Sequence, residues 1–212
     1  MAMDGGRQNQ DIPRKGRRAF VVAMECEADA VRPWMKETDV LVVSGIGKVN
    51  AAAATQKAIG EFAADLIVNT GLAGGFSTDM RVGDIYEIEA AVEYDFDLAD
   101  LNGTRVGVLD EYDTPYMELE TAGMFPKAIL ATGDRFNNSE TDYALIRDDL
   151  KATVRDMEGA AVAHVCKKNL VRCRSLKCIT NVIGKGSMTG QYEKSRAMCL
   201  EKLKNALGRY LA

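Results

Sequence analysis

Five segments of this 212-residue chain place acid, glycine or amide directly after a short apolar run. They are Met24-Glu25-Cys26-Glu27, Ser44-Gly45-Ile46-Gly47-Lys48, Asn69-Thr70-Gly71-Leu72-Ala73-Gly74-Gly75, Thr132-Gly133-Asp134-Arg135-Phe136-Asn137-Asn138 and Thr180-Asn181. A carboxylate can act as a general base or steady a developing positive charge. Glycine lets backbone approach a ligand closely, above all where a helix begins, as the pattern predicts near Lys48. One such turn means little, and singly each glycine reads as a strand-to-helix turn. Five together suggest the rim of one pocket. The glycines do not form a nucleotide motif: Gly45-Ile-Gly47-Lys-Val-Asn50 breaks G-x-G-x-x-G at its last position. No segment fits the P-loop pattern either.

The elements that must position these residues alternate. The apolar runs are Ala19–Ala23, Val40–Val43, Leu66–Val68, Ile85–Val92 (interrupted by acids), Ala128–Ala131 and Leu176–Ile179; such continuous rather than alternating runs are what strands covered on both faces look like. Helical patterns lie between them. Lys48–Phe62 would bury Val49, Ala52, Ala53, Ile59 and Phe62, and Glu140–Leu150 would group Leu145, Ile146 and Leu150 behind a Ser139 cap. Met157–Cys166 is alanine-rich, and Gln191–Leu211 spaces Met198, Leu200, Leu203, Leu207 and Leu211 along one face. The region 95–126 reads as loop with one weak strand. The alternation predicts an α/β fold: a three-layer, doubly wound mixed sheet with helices on both faces and ligands beyond the strand ends. Residues 19–212 should form a single domain behind a disordered tail, 1–18.

Charge and cysteine usage narrow the function. Twenty-seven Lys and Arg against 31 Asp and Glu give a net charge of −4, which argues against a nucleic-acid binder. No apolar run approaches the length of a membrane span, so no membrane partner is expected. The apolar stretch after the basic tail is also too short for a secretion signal. Five cysteines without a C-x-x-C pair, and a single histidine, offer no zinc spacing. Neither metal nor cofactor is expected. The thiols fit a cytoplasmic protein, and His164 reads as a satisfied helix histidine.

Six segments in order carry a resemblance. Ala23-Met-Glu-Cys-Glu27, Ser44-Gly-Ile-Gly-Lys-Val-Asn-Ala51, Val68-Asn-Thr-Gly-Leu-Ala-Gly-Gly75, Val82-Gly-Asp-Ile85, Thr132-Gly-Asp-Arg-Phe136 and Asp156-Met-Glu-Gly-Ala-Ala-Val-Ala-His-Val-Cys166 are similar to motifs of the methylthioadenosine/S-adenosylhomocysteine nucleosidases. These belong to the wider purine and uridine phosphorylase family, so the resemblance implies a nucleoside phosphorylase-like domain that cleaves a purine nucleoside. It also implies a homo-oligomer, a dimer, in which a neighbouring subunit closes the 5′ pocket. Glu27 would activate the attacking water, and Glu158 would hold the ribose 2′- and 3′-hydroxyls with Met157 against the ribose face. Phe136 would stack on the purine and Asn137 would bond its edge through backbone. Ile46, Ala73 and Gly74 would line the pocket toward the ribose and the 5′ substituent.

Three departures matter. Asn181 stands where adenine-specific members carry an aspartic acid that protonates the base at N7. An amide is no Brønsted acid near neutral pH but can donate hydrogen bonds, which points to a 6-oxopurine base such as that of inosine or futalosine. Asn69 and Leu72 occupy the places where related phosphorylases hold phosphate with arginine and serine, which favours water as nucleophile; Arg135, unmatched in relatives, reads equally as a substitute cation or as a solvated or ion-paired side chain. Between Trp34 and Val40 there is no room for the hairpin usual before Gly45. Hydrolysis is therefore the leading expectation. A phosphate-dependent phosphorylase and a catalytically silent nucleoside-binding protein are the alternatives.

Overall fold

Apolar runs buried on both sides form the centre of the fold. The computed structural model describes residues 16–109, 111–136 and 140–211. The first run is strand β1 (Arg18–Val22). Ala19 and Val21 enter one core cluster, and Phe20 and Val22 enter another, because successive strand side chains face opposite layers. Along the chain follow α1 (Glu25–Val31), β2 (Val40–Val43), α2 (Lys48–Gly60), β3 (Leu66–Gly75), β4 (Ile85–Glu93) and α3 (Ala99–Asn102). Then come β5 (Met117–Glu118), β6 (Lys127–Thr132), α4 (Glu140–Ala144), β7 (Val154–Asp156), α5 (Gly159–Lys168), β8 (Arg172–Val182) and α6 (Met188–Tyr210).

The strand order is β2-β1-β3-β7-β6-β4-β5, and β8 pairs with both β3 and β4. The pairs β3–β7–β6–β4–β8–β3 therefore close into a ring, which brings distant strand ends around one mouth. The sheet is mixed: β3–β7, β4–β5 and β4–β8 are antiparallel, and the remaining pairs are parallel. Helices α2 and α5 cover one face through Ala51, Ala54, Ala58 and the run Ala160–Ala163. Helices α1 and α6 cover the other through Ala28, Val31, Cys199, Leu203 and Leu207. This is the three-layer mixed architecture that the alternation predicts. Among the described residues no helix is long and apolar enough to cross a membrane.

Several local expectations are corrected. The glycine-rich segment after the third run is strand, not turn: β3 pairs with β8 from Leu66 to Gly75, with a register shift between Ala73 and Gly74. Pairing with its neighbours outweighs the low strand propensity of glycine. Helix α2 buries Ala51, Ala54, Thr55, Ala58 and Ile59, whereas Val49 is 80% exposed and Ala53 is exposed. Its seat on α5 is a close one, which selects small residues over the larger Val49. Helix α6 buries Cys199, Ala206 and Tyr210 beside Leu203 and Leu207, and Met198 lies outside. Helix α5 begins at Gly159, with Glu158 at its N-cap rather than inside it. Strand β1 begins at Arg18, whose guanidinium pairs with Asp39 at 2.6 Å. The rest of the expected tail, 1–15, lies outside the described residues, as do Ser139 and Asn137.

Candidate active site

A cleft of about 600 Å³ opens where the ends of β1, β3, β7 and β8 meet α1 and α6. Glu27, Ile46, Ala73, Gly74, Phe136 and Asn181, drawn from all five strand-end segments, line it together with Met157 and Glu158 from the segment Asp156–Cys166. Asn137 lies outside the described residues.

Glu27 sits in the first turn of α1 and is 3% exposed. Its Oε2 accepts from the backbone N–H groups of Ala23 and Met24, at 3.0 and 3.1 Å, and its Oε1 accepts from the Leu72 N–H at 2.8 Å. Three backbone donors thus fix a carboxylate against the cleft wall. Burial pushes its pKa above the ordinary value, although the Leu72 N–H, the Lys177 ammonium and the other two N–H groups favour the charge. The glycine at position 71 makes room for it: a Cβ there would stand 2.3 Å from Glu27 Oε1. The close approach explains why glycine sits inside a strand.

The first N–H groups of α5 go to Asp156 and Thr132, and Glu158, its N-cap residue, makes no cap hydrogen bond with its side chain. Its Oε1 accepts from the Gly47 N–H at 2.8 Å, which ties the loop before α2 to the site. Gly47 holds φ at +104°, a backbone angle that L side chains rarely adopt, and so can present its N–H there. Burial, then repulsion from Asp156, pushes the Glu158 carboxyl up to about 7; Gly47 and Lys177 oppose the shift.

Beneath both carboxylates lies Lys177 on β8, fully buried and paired to Asp156 Oδ2 at 2.8 Å. Burial alone would discharge it, yet Asp156, Glu158 and Glu27 hold its ammonium above the usual range. Asp156 also accepts from Thr132 Oγ1 and from the N–H groups of Glu158 and Gly159, which fixes the start of α5. One interior cation therefore serves three acids.

Asn181 is 3% exposed and lies beside Thr180, whose hydroxyl donates to Asn181 Oδ1 at 2.6 Å. The other acceptor near that hydroxyl, the Ala73 carbonyl, is farther away at 3.2 Å. The Asn181 amide is thus held with its NH₂ facing Met188 Sδ, at 3.4 Å, and the cleft. Phe136, 56% exposed, meets Tyr192 edge-on with ring centroids 6.0 Å apart, and both rings line the cleft. Arg135 reaches Asp142 at 3.9 Å. His164 lies outside the cleft lining, with its Nδ1 3.1 Å from Glu93 Oε1. Among the described residues no group of three His, Cys, Asp and Glu side chains could hold a metal ion.

Sequence reasoning missed Lys177, Arg155 and Tyr192. Lys177 interrupts an apolar run, and that interruption is the signal that could have found it. Strand β7 has only three residues, two of them charged, so no run announces Arg155. Tyr192 lies in the first turns of α6, inside the expected helix, but off the apolar face that marks it.

The phosphorylase superfamily profile matches residues 31–212. A methylthioadenosine/S-adenosylhomocysteine nucleosidase of Colwellia psychrerythraea is 34% identical over 167 residues, 70% of this chain and 68% of that protein. An aminodeoxyfutalosine nucleosidase of Campylobacter jejuni is 31% identical over 156 residues, 68% of each chain. The solved Colwellia nucleosidase in complex with adenine superposes with a TM-score of 0.82 at 25% identity, covering 92% of this chain and 94% of the other.

Proposed function

The chain belongs to the phosphorylase superfamily, and from that premise we propose that it is a purine nucleosidase that hydrolyses the N-glycosidic bond, with a 6-oxopurine as the departing base. The observation that carries the reading is the placement of Glu27 and Glu158 in one cleft, both held by backbone N–H groups. Glu27 takes a proton from water as its oxygen attacks the anomeric carbon. Glu158 accepts the ribose hydroxyls and opposes the positive charge growing on the sugar. Phe136 and Tyr192 give the purine an aromatic bed.

Water as the nucleophile is supported by Asn69, which stands at the phosphate-ligand position and is 2% exposed. Its amide donates to the Val21 carbonyl at 3.1 Å and its Oδ1 faces Ser175 Oγ at 3.3 Å, so it is committed to the core. Two of the relatives described above act on 6-aminopurine compounds by name, and Asn181 argues for the other base class. Held by Thr180, its NH₂ offers a donor where N7 and a 6-carbonyl would accept.

The test incubates methylthioadenosine, adenosylhomocysteine, inosine, guanosine, xanthosine and futalosine, each with and without phosphate, and chromatographs the released base. Release of oxopurines without phosphate is expected, and Asn181→Asp should swing the preference toward adenine nucleosides by about 10-fold or more. Strict phosphate dependence, no release at all, or an unmoved preference would overturn the corresponding step.

A second copy of the chain completes the reading. Val43, Ile46 and Val49 are 36, 54 and 80% exposed along edge strand β2 and the start of α2, and Ile46 lies at the cleft. Such a patch beside a site suits an isologous partner. Sedimentation should give a dimer that Val49→Glu dissociates; a monomer at micromolar concentration would refute it.

A further inference from the structure

Helix α6 runs along the cleft like a ruler. Met188, Thr189, Tyr192, Glu193 and Arg196 recur at helical spacing, so they share one face, and all of them line the cleft or the small recess that opens off it. The face starts at the base end, where Asn181 Nδ2 lies 3.4 Å from Met188 Sδ. Eight residues later, Arg196 stands about 12 Å farther along the helix axis. Its guanidinium reaches the Tyr192 hydroxyl, and its charge acts on the Cys26 thiol in the first turn of α1. Arg196 therefore stands beside the segment that carries Glu27, at the end of the cleft away from the base. Met24 and Leu72, whose N–H groups hold Glu27, line the cleft there and make its walls apolar.

Two polar groups at this end are poised as donors. A guanidinium keeps its charge and offers N–H groups in a planar fork that matches a carboxylate. The Tyr192 hydroxyl donates to Met24 Sδ at 3.9 Å, a weak acceptor that an anion would displace. Among the described residues no carboxylate forms an ion pair with Arg196. Exposed Glu193 also lines the cleft, three positions earlier, and repels an anion that stops short of Arg196. A nucleoside with its base at Asn181 and its ribose between Glu27 and Glu158 sends its 5′ carbon toward Met24 and Arg196. A bare 5′-hydroxyl falls short of a residue two helical turns past the base. An apolar tail would lie against Met24 and Leu72 and carry a terminal charge to the guanidinium.

We propose that Arg196 and the Tyr192 hydroxyl form a carboxylate subsite at the 5′ end of the cleft, so that the chain prefers nucleosides whose 5′ substituent is an apolar linker ending in a carboxylate. This deepens the proposed function and rests on it for the orientation of the sugar. A phosphate attached directly to C5′ stays near the ribose, short of Arg196, and is not the anion this geometry fits.

The test uses C-nucleosides, in which carbon joins base to sugar, so that nothing is hydrolysed and binding is read apart from turnover. On both 9-deazahypoxanthine and 9-deazaadenine, the 5′ group is a carboxybutylthio tail, the matching carboxamide, or a phosphate. In calorimetric titration the full chain should bind the carboxylate about 10-fold more tightly than the carboxamide, equivalent to about 1.4 kcal/mol, on whichever base it prefers. The ratio should shrink as salt is raised from about 0.02 M to about 0.5 M, since an exposed pair is screened. Arg196→Gln should bring the two tails within about 2-fold of each other, and Arg196→Lys should restore part of the gap. Wild type that binds both tails alike, equal losses for both in Arg196→Gln, or a phosphate held more tightly than the carboxylate would overturn the proposal. If Arg196→Gln does not fold, the wild-type ratio decides, and a ratio that salt leaves unmoved also overturns it. Tail discrimination by a chain that cleaves no nucleoside would sink the nucleosidase reading and leave the subsite standing; cleavage without tail discrimination would do the reverse.

Discussion

Replacing Glu27 with glutamine is expected to lower kcat by about 10²–10⁴-fold, the range supplied by a positioned general base. The carboxylate is held by three backbone N–H groups, so the native site is built around an acceptor-only side chain. A glutamine amide cannot satisfy all three. Whichever way it turns, its NH₂ faces a backbone donor, at Leu72 or at Ala23 and Met24. Leaving a buried donor unpaired costs about 1–3 kcal/mol, so the variant should lose stability as well as turnover. Gly71→Ala tests the placement of the carboxylate rather than its chemistry, since it keeps Glu27 but puts a Cβ 2.3 Å from where Oε1 now stands. It should also collapse kcat although every catalytic residue is present. Rapid-quench measurement of base release and urea titration of both variants would check this. Glutamine retaining kcat within about 3-fold of wild type would remove Glu27 from the chemistry.

How far these roles could be read in the chain depends on how each element is made. Strands β1 and β6 announce themselves because burial on both faces writes an apolar run. Edge strand β2 is half-buried and β4 is broken by Glu87 and Glu89, so each shows only through the apolar residues that remain. Strand β8 is only partly legible, since Ser175, Lys177, Thr180 and Asn181 are buried polar residues that interrupt the run and are satisfied by tertiary contacts. Strand β7 is illegible: three residues, two of them charged, become strand through pairing with β3 and β6. The phase of α2 misleads for a related reason. Its buried face is small so that α5 can approach, and the larger Val49 is left outside.

The candidate site was legible in the glycines and acid at its strand ends, while Glu158, and the role of either carboxylate, came only from the resemblance. Its second layer was not. Lys177 stands 150 positions beyond Glu27 in numbering, and only the ring of strands brings its ammonium under both acids. Arg155 and Tyr192 enter the cleft from elements whose own patterns speak of packing alone. Local sequence reports the groups that face the ligand more readily than those that tune them.

The interior charge balance leads to the second large effect, at Glu158. Its carboxyl is pushed up to about 7, by burial first and by Asp156 second. A folded-state value above the unfolded one means that the native protein binds the proton more tightly. The stabilising contribution is therefore fully present below about pH 4.5 and is lost as pH rises through about 7. At about 1.4 kcal/mol per pH unit, the gap amounts to about 3 kcal/mol, which the ligand-free protein forgoes in order to hold an anion there. Glu158→Gln removes the anion but keeps an oxygen for the Gly47 N–H. Above about pH 7 the variant should be more stable than wild type by up to about 3 kcal/mol, and its melting temperature should fall less as the buffer is made alkaline. Activity should move the opposite way: kcat/KM is expected to drop by about 10²–10³-fold, and the rise of wild-type kcat/KM with pH through about 7 should flatten. Ribonucleosides compared with their 2′-deoxy counterparts give the sharper reading, because the carboxylate is proposed to accept the 2′-hydroxyl. Wild type should discriminate between them and Glu158→Gln should not. Discrimination that survives the substitution, or a variant less stable than wild type at alkaline pH, would place the ribose elsewhere.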